Sequence, residues 1–341
     1  MDAVTAALAA IVGGSELSTS ESRAAFGSLL DGDVSESVAA AFLTALRIKG
    51  EAPHELDGAV AAIRERMIPW ESGIDSDSLV DTCGTGGDGA GTVNISTAAA
   101  MVVAACGVPV VKHGNRAATG RSGSSDVLGV LGIASNLEPA ESRRCLSELK
   151  ITFLFAPSFH PGLARIAPVR RQLPFRTIFN LVGPLCNPAS PACQLVGVPD
   201  EKQAELLAQV LTRQGHIRRA AVVTGCDRLD EVTLDGPTQV WNVEDQCVRR
   251  ELWHPEDFGL SRHAASTIQI RDARESADLL VRTFAGEKGP VRDYVLANSA
   301  AALWVARRTP LGEGTAMAAA AIDSGATASL LERWRQLAPK V

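Results

Sequence analysis

A glycine-rich segment directly after a short apolar run is the feature that most constrains the fold of this chain. Residues 79–83 have the pattern of a strand, and Gly84-Thr85-Gly86-Gly87-Asp88-Gly89-Ala90-Gly91-Thr92 follows at once. Because glycine lacks a Cβ, backbone N–H groups in such a turn can approach a ligand closely. A helix then begins near Asn94, and the N-terminal end of a helix attracts anions. The order strand, glycine turn, helix therefore predicts a phosphate-binding site in an α/β domain.

Other interpretations of the glycine segment fit less well. Gly84, Gly86 and Gly89 match the G-x-G-x-x-G spacing of dinucleotide-binding proteins, but that fold needs an acidic residue about 20 positions further on. Residues 104–111 are entirely apolar at that point. The Walker pattern fails because no Lys-Ser or Lys-Thr closes the loop. A tight turn without a ligand explains one or two glycines, whereas five occur in eight positions here.

The periodicity of apolar residues predicts two domains of different class. Residues 1 to about 70 show helical spacing, for example at Val38, Phe42 and Leu46, and Ser18 with Glu21 fits a capping box. Beyond residue 77, apolar runs alternate with helical stretches, which predicts a mainly parallel sheet flanked by helices. The fold class is thus α/β: a small N-terminal all-helical domain at 1–72, joined by part of 172–188, and a larger domain at 77–341. The predicted strands are 79–83, 108–111, 152–155, 195–198 and 221–224, and the predicted helices are 97–106, 126–131, 139–149, 201–213, 291–307, 312–323 and 328–337.

A second loop follows the predicted strand at 108–111. Lys112, Arg116 and Arg121 place three cations within ten residues, among glycines and hydroxyls. Such a loop suits a polyanion, since lysine supplies a point charge and arginine a planar fork. A solvated loop without a ligand is the alternative. His113 has the chemistry of a proton-transfer base, but a role in holding the loop geometry is the preferred interpretation.

Composition and charge restrict the class of partner. The chain has 341 residues, a net charge of −6 and no block of basic residues, so we expect no nucleic-acid or membrane surface. The longest apolar stretch, 98–111, is interrupted by Gly107 and Pro109 and is too short to cross a bilayer. The N-terminus lacks the basic segment of a secretory signal. Seven scattered cysteines without a CxxC motif suggest free thiols in a reducing compartment, which predicts a cytoplasmic location.

Taken together, these motifs and several later ones closely resemble the anthranilate phosphoribosyltransferases, and the resemblance covers nearly the whole chain. The matching segments are 84–88 (Gly-Thr-Gly-Gly-Asp), 94–97 (Asn-Ile-Ser-Thr), 112–116 (Lys-His-Gly-Asn-Arg), 155–157 with 160–161, 168–171, 176–181 with 183–185, 229–231 with 236–238, and Ala320 with 322–325. The resemblance implies transfer of the phosphoribosyl group of phosphoribosyl pyrophosphate (PRPP) to the amine of anthranilate in tryptophan biosynthesis. It also implies two Mg²⁺ ions, a homodimer, and a site in the cleft between the two domains.

The resemblance also implies the site residues. Those expected near PRPP are Gly84, Gly87, Asp88, Thr92, Asn94, Ile95, Ser96, Thr97, Lys112, His113, Gly114, Asn115, Arg116, Ala117, Ala118, Thr119, Gly120 and Ser124. Those expected near anthranilate are Gly84, Asn115, His160 and Arg170, and those expected near magnesium are Ser96, Asp230 and Glu231. The Arg170 guanidinium suits the anthranilate carboxylate, and magnesium sites take one or two carboxylates plus substrate phosphates.

The expected mechanism relies on electrostatics and positioning, with Lys112 and Asn115 in those roles and no residue assigned as acid, base or nucleophile. The aromatic amine is already neutral at pH 7, so it needs no strong base. The 117–121 loop is smaller and less hydroxyl-rich than many family versions, and Arg121 stands where lysine is common. Two other functions are considered: a pyrimidine nucleoside phosphorylase, which shares the architecture, and a non-catalytic nucleic-acid-binding relative. The Lys-His-Gly-Asn-Arg sequence and Arg170 disfavour the first, and the acidic net charge and the Asp230-Glu231 pair disfavour the second.

Overall fold

The N-terminal part of the chain forms a bundle of four helices. The computed structural model describes residues 2–117 and 120–340, so the expected PRPP contacts of Ala118 and Thr119 lie outside the described residues. The predicted capping box is present: the Ser18 hydroxyl accepts from Glu21 N–H, and the Glu21 carboxylate accepts from Ser18 N–H. The helices of the bundle are α1 (Ala3–Val12), α2 (Thr19–Asp31), α3 (Glu36–Lys49) and α4 (Pro53–Glu65).

The core of the bundle is aromatic and aliphatic. The rings of Phe26 and Phe42 meet edge to face with centroids 5.4 Å apart, and Phe179 meets Phe26 in the same way at 5.5 Å. Phe42 and Leu46 are fully buried in this core, whereas Val38 is half-buried against it. Phe42 and Leu46 are thus core residues of a single chain. Phe179 shows that the segment after residue 172 packs on the bundle.

The larger domain is built on a seven-stranded sheet. The strands are β1 (Val80–Gly84), β2 (Val110–Gly114), β3 (Ile151–Phe155), β4 (Cys193–Gly197), β5 (Arg219–Gly225), β6 (Thr238–Glu244) and β7 (Cys247–Trp253). Their order across the sheet is β3-β2-β1-β4-β5-β6-β7. The first five strands in chain order are parallel, and the last two add antiparallel at one edge. This confirms the predicted mainly parallel sheet flanked by helices.

The hairpin of β6 and β7 is absent from the sequence prediction. Its turn residues, Asp245 and Gln246, both have positive φ angles of 52° and 58°. Such two-residue turns are normally signalled by Asn-Gly or Asp-Gly, and Gln246 removes that signal. The structure therefore relies on pairing with β5 to hold a turn that the local sequence does not favour.

Helices cover both faces of the sheet. The helices of this domain are α5 (Ile95–Ala105), α6 (Ser124–Val130), α7 (Pro139–Leu149), α8 (Ala156–Phe159), α9 (Pro161–Gln172), α10 (Glu201–Leu211), α11 (Ala273–Phe284), α12 (Pro290–Arg307), α13 (Leu311–Asp323) and α14 (Ala326–Leu337). On one face α5 packs against α12, and on the other α10 packs against β5 and α4. Three helices were not predicted: the short α8, α9, which contains Pro161 and Pro168, and α11, which begins after the capping residue Asp272.

Two properties of the whole chain bear on the expectations from composition. Each of the seven cysteines is a free thiol, and five of them are buried or half-buried. Across residues 2–117 and 120–340, none of the helices combines the length and apolar character that a membrane crossing requires.

Candidate active site

The parallel strands place the two predicted loops at one edge of the sheet. β1 ends at Gly84, where the glycine loop begins. β2 ends at Gly114, three residues later than predicted, so Lys112 and His113 lie on the strand and the second loop begins at Asn115. The strand order changes direction between β1 and β4. Ligands of open α/β sheets bind outside the carboxyl ends of the strands at such a point.

The glycine loop adopts a conformation that few other residues tolerate. Gly86, Gly87, Gly89 and Gly91 all have positive φ angles, between 62° and 77°, a region that other residues rarely adopt. Arg176, from the segment after α9, donates to the carbonyl oxygens of both Thr85 (2.9 Å) and Gly86. The carbonyl groups of Thr85 and Gly86 therefore face the Arg176 guanidinium. Arg176 is a site residue that the sequence prediction missed.

An acidic pair approaches this loop from the segment after β5. Asp230 and Glu231 lie at a bend of the chain. Asp230 Oδ2 accepts from the Gly86 N–H at 2.8 Å, and Glu231 Oε1 accepts from the Ser96 N–H at 3.0 Å. The structure thus brings the sequence-predicted metal residues together with the glycine loop and the first turn of α5.

Burial raises the pKa of both acids. For Asp230 the second cause is the nearby Asp88 carboxylate, and for Glu231 it is Asp230 itself. Like charges in one site disfavour each other's ionised form. A cation bound among these groups would favour their ionised forms.

Gly197 makes room for the acidic pair. A Cβ at this position would lie 1.6 Å from Asp230 O and 2.5 Å from Asp230 C. We expect Gly197→Ala to displace the Asp230 segment and to lower the free energy of unfolding by about 1–3 kcal/mol or more, the usual cost of overpacking. Urea unfolding measures this. Gly215→Ala is the matched control, since a Cβ there meets nothing within 4 Å; equal stability of the two variants would contradict the prediction.

Lys112 lies on β2, shortly before the second loop. Its side chain is only 4% exposed, and the ammonium donates to Thr82 O and to Ser96 Oγ at 3.2 Å. Burial raises the pKa of neighbouring Asp81 to about 6, and the charge of Lys112 opposes that rise. Asp81 also accepts from Asn187 Nδ2 at 2.8 Å. The two hydrogen bonds of its ammonium therefore fix the lysine beside the start of α5.

The second loop folds back on the start of α6. The carbonyl of Asn115 accepts from Ser124 Oγ at 3.2 Å, and Asp126 Oδ2 accepts from the N–H groups of Ala117 and Gly123, both at 2.9 Å. A Cβ on Gly114 would come within 2.3 Å of Ser124 Oγ. The close approach of this backbone to Ser124 explains the glycine after His113.

Asn94 links the second loop to a C-terminal helix. It stands at the N-cap of α5 but makes no side-chain capping bond. Instead, Asn94 Oδ1 accepts from Ser122 Oγ and Ser276 Oγ, both at 2.7 Å. The amide therefore links the second loop to α11, and Ser276 is a contributor that no local motif indicated.

Two histidines lie side by side next to the second loop. The rings of His113 and His160 meet edge to face, with centroids 5.2 Å apart, and His113 Nδ1 lies 3.1 Å from Gly183 O. Burial lowers the pKa of His113 to about 3 and that of His160 to about 4. Both rings are neutral at pH 7, and a group of so low a pKa is a weak base. His113 therefore fits the geometric role that the sequence favoured.

This burial predicts a dependence of stability on pH. His113 has a lower pKa in the folded than in the unfolded chain, so the unfolded chain binds more protons below about pH 6.5. Stability is lost as pH falls below that value, by about 2 kcal/mol at pH 5 from this residue. We expect His113→Gln to remove this part of the loss, as measured by urea unfolding at pH 7 and pH 5. Equal losses in both proteins would contradict the assignment.

Arg170 is the predicted site residue that lies on α9. It lies on α9, half-buried, with its guanidinium 5.3 Å from the centre of the Phe179 ring. Burial lowers the pKa of this guanidinium. In the part of the chain that the structure describes, Arg170 takes part in no ion pair. A half-buried cation held on an aromatic ring is suited to an anionic partner from outside the chain.

Comparison with known proteins places this geometry in a family. Two family models match: the helical bundle domain of a glycosyl transferase family over residues 5–67, and the a/b domain of that family over residues 76–328. The anthranilate phosphoribosyltransferase of Methylobacterium radiotolerans is 46% identical over 98% of this chain and 96% of its own length.

Solved structures agree with the sequence comparison. The anthranilate phosphoribosyltransferase of Thermus thermophilus superposes with a TM-score of 0.91 at 39% identity, over 99% of both chains. The Saccharomyces cerevisiae enzyme in complex with PRPP and Mg has a TM-score of 0.89 at 26% identity, over 98% of this chain and 97% of its own. The same yeast enzyme in complex with 4-fluoroanthranilate has a TM-score of 0.87 at 25% identity, over 98% and 97% of the two chains. With its helical bundle, its seven-stranded sheet and its paired loops, this chain belongs to the anthranilate phosphoribosyltransferase family.

Proposed function

We propose that this chain carries out the reaction of its family. The residues involved lie at the carboxyl ends of the parallel strands, near β1 and β4. The reaction transfers the 5-phosphoribosyl group of PRPP to the amine of anthranilate and releases pyrophosphate. One observation supports this site above all others. The Asp230 carboxylate accepts a hydrogen bond from the Gly86 N–H, and the Glu231 carboxylate accepts one from the Ser96 N–H. Phosphate-binding backbone and metal-binding carboxylates thereby form one unit.

PRPP is proposed to bind across the two loops and the start of α5. The positive-φ glycines let the backbone approach the phosphates, and the N-terminal end of α5 favours their charge. The Ser124 hydroxyl donates a hydrogen bond to Asn115 O in the second loop. Ser124 also lies at the start of α6, where it can face a phosphate. The proposed PRPP residues are Gly84, Gly87, Asp88, Thr92, Asn94, Ile95, Ser96, Thr97, Lys112, His113, Gly114, Asn115, Arg116, Ala117, Gly120 and Ser124.

Asp230, Glu231 and Ser96 are proposed to hold magnesium, as two ions. The raised pKa values of the two acids support this, since both carboxylates are placed where a cation would stabilise their charged forms. Within the described residues no cluster of three or more His, Cys, Asp or Glu side chains suits a metal. Magnesium commonly binds through one or two carboxylates plus substrate phosphates. When bound, Mg²⁺ supplies positive charge to the departing pyrophosphate.

The protein residues serve the reaction by positioning and charge. The bond from C1 of the ribose to pyrophosphate breaks with its electron pair on the pyrophosphate oxygen. The amine lone pair of anthranilate forms the new C1–N bond, and the amine proton passes to solvent. Lys112 and the N-terminal end of α5 oppose the charge that develops on the pyrophosphate. Asn115 orients the second loop, and the neutral His113 holds its shape.

Anthranilate is proposed to bind near Gly84, Asn115, His160 and Arg170. The carboxylate of anthranilate pairs with the half-buried Arg170 guanidinium, which is held on Phe179. His160 is neutral and buried beside His113, so it offers an uncharged polar surface for the ring and amine. The acceptor site would thus be formed by α9 and the second loop.

Replacement of Arg170 tests this acceptor site. We expect Arg170→Met to raise the KM for anthranilate by roughly 10–100-fold, the effect of losing about 1.5–3 kcal/mol from a charged hydrogen bond. The KM for PRPP should stay within twofold. Steady-state kinetics with each substrate varied in turn give both values. Arg171→Met is the matched control, because Arg171 is the exposed neighbour on the same helix; an equal rise in both variants would reject the pairing.

The proposal also covers the domain limits, the oligomeric state and the cellular location. We propose domain limits of 1–72, joined by part of 172–188, and 77–341, because the Phe179 segment packs on the bundle. We propose a homodimer formed through the helical domain, where Val12 and Ile48 are 73% and 81% exposed. We propose a cytoplasmic location, in keeping with seven free cysteines.

A product assay distinguishes this reaction from that of a nucleoside phosphorylase. Purified protein is incubated with PRPP, anthranilate and Mg²⁺, or with thymidine and inorganic phosphate, and the products are identified by mass spectrometry. We expect N-(5-phosphoribosyl)anthranilate and pyrophosphate in the first mixture and no thymine in the second. Thymine release without phosphoribosylanthranilate would overturn the proposal.

A further inference from the structure

Asn298, on α12, makes an unusual contact with the segment that follows the acidic pair. Its Oδ1 accepts from the Val232 N–H at 2.9 Å, and its Nδ2 donates to Val232 O at 3.0 Å. The side chain therefore binds both polar groups of one backbone residue. Nδ2 also donates to Tyr294 O at 2.9 Å, which fixes the amide to its own helix.

This contact replaces a strand partner. Val232 is buried but belongs to no strand or helix, so its N–H and C=O have no regular backbone partner. Buried backbone groups must be paired, because an unpaired one costs about 1–3 kcal/mol. Asn298 is itself fully buried, so water cannot readily substitute for it. The amide is thus the feature that allows this irregular segment to pass through the interior.

The contact also sets the position of Glu231. The N–H of Val232 and the carbonyl of Glu231 belong to one planar peptide unit. Fixing the Val232 N–H therefore fixes the orientation of the Glu231 backbone, from which its carboxylate reaches Ser96 N–H at 3.0 Å. On the other side, Thr233 N–H donates to Thr238 Oγ1 at 3.0 Å, which anchors the end of the segment.

The helix that carries Asn298 is well placed for this purpose. α12 packs against α5, whose first turn receives Glu231, and also against β1, β4 and β5. The same helix thereby contacts the elements that hold the glycine loop and the acidic pair. A shift of the acids relative to α5 would require a shift of Asn298 relative to its own helix.

We propose that Asn298 is a positioning residue for the metal-binding acids: by pairing with both backbone groups of Val232, it holds Asp230 and Glu231 in the arrangement that binds divalent cations. The proposal rests on the assignment of that acidic pair as the metal site in the proposed function. Asn298 does not touch a substrate or an ion, so it acts only through the segment that it holds.

Mn²⁺ binding tests the proposal without turnover. Mn²⁺ is titrated at saturating PRPP in the absence of anthranilate, and bound ion is measured by EPR after subtraction of a titration without protein. We expect Asn298→Leu to weaken Mn²⁺ binding by roughly 10–100-fold, the usual effect of removing a group that orients metal ligands. Asn298→Asp keeps the oxygen that accepts from the Val232 N–H. Its second oxygen replaces Nδ2 and is repelled by the carbonyl oxygens of Val232 and Tyr294, so we expect Mn²⁺ binding to weaken in the same range.

Ser299→Ala is the matched control. Ser299 is equally buried on the same helix, but its hydroxyl donates only to Val295 O within the helix, at 2.7 Å. Its Mn²⁺ affinity should equal that of the unmodified chain. Hydrogen exchange of a peptide containing Val232 provides a second readout, with protection lost in Asn298→Leu and retained in Ser299→Ala.

A third variant separates this inference from the function on which it rests. If Asp230→Asn weakens Mn²⁺ binding while both Asn298 variants bind like Ser299→Ala, the positioning role is wrong and the metal site stands. If Asp230→Asn binds Mn²⁺ normally, the metal assignment is wrong and the inference falls with it. Should Asn298→Leu fail to fold, the Asn298→Asp variant decides by the same criterion.

Discussion

Asp230→Asn is expected to lower kcat/KM by on the order of 10²–10³-fold, the usual effect of removing one preorganised electrostatic group from an active site. The Asp230 carboxylate accepts from the Gly86 N–H at 2.8 Å, and it would lie 2.9 Å from a Cβ placed on Gly84. Asparagine has the same shape but no charge, so it keeps the volume and removes the attraction for magnesium. We also expect the Mg²⁺ concentration at half-maximal rate to rise.

The measurement is the initial rate over a range of Mg²⁺ concentrations at saturating PRPP and anthranilate. Asp235→Asn is the control, because Asp235 lies on the same segment with its side chain exposed to solvent. Its rate and its Mg²⁺ dependence should match those of the unmodified chain. A loss of rate in Asp230→Asn without any change in Mg²⁺ dependence would contradict the metal-binding role.

Lys112→Met is expected to reduce both activity and stability. The ammonium donates to Thr82 O and Ser96 Oγ, beside the helix terminus where the pyrophosphate is proposed to bind. Methionine fills a similar volume without the charge, so we expect kcat to fall by on the order of 10²–10³-fold. We also expect a loss of stability of about 1–3 kcal/mol, because the buried Thr82 carbonyl and Ser96 hydroxyl lose their donor and Asp81 loses a nearby positive charge.

The stability loss should depend on pH. Asp81 already has a folded pKa of about 6, above its ordinary value of 3.8, and removal of Lys112 would raise it further. When the pKa of a carboxyl is higher in the folded than in the unfolded chain, the unfolded chain loses the proton at lower pH. The free energy of unfolding therefore falls as pH rises between the two pKa values. Urea unfolding should therefore show a larger deficit for Lys112→Met at pH 8 than at pH 5. The exposed Lys202→Met is the control, and a deficit independent of pH would contradict the account.

Local sequence was sufficient to predict the parts of the site that depend on local geometry. The four glycines with positive φ angles, the strand before them and the helix after them are all specified by neighbouring residues. The same holds for the second loop, where Gly114 must lie close to Ser124. Alternation of apolar runs was sufficient for the parallel sheet, because buried parallel strands are apolar on both faces.

Contacts between distant residues could not be predicted in this way. Asn298 and Ser276 lie on C-terminal helices with no motif around them, yet they hold Val232 and Asn94 across separations of 66 and 182 residues. Arg176 lies in a segment that resembles the family, but the sequence gives no sign of its contact with the Thr85 and Gly86 carbonyls. Pairing of this kind depends on tertiary packing and leaves no periodic signal in the sequence.

The missed secondary structure has related causes. Helix α9 contains Pro168 within its length, and an internal proline normally argues against a helix. The turn of the last hairpin lacks glycine at Gln246, so the usual hairpin signal is absent. In both places the surrounding structure determines a conformation that the local residues do not favour.

The most direct test of the central claim is the loss of anthranilate fluorescence on incubation of the purified chain with PRPP, anthranilate and Mg²⁺. We predict a loss that requires all three components and that disappears when any one of them is left out. Persistent fluorescence from folded protein that still binds PRPP would contradict anthranilate as the acceptor and leave only the phosphoribosyl-binding scaffold.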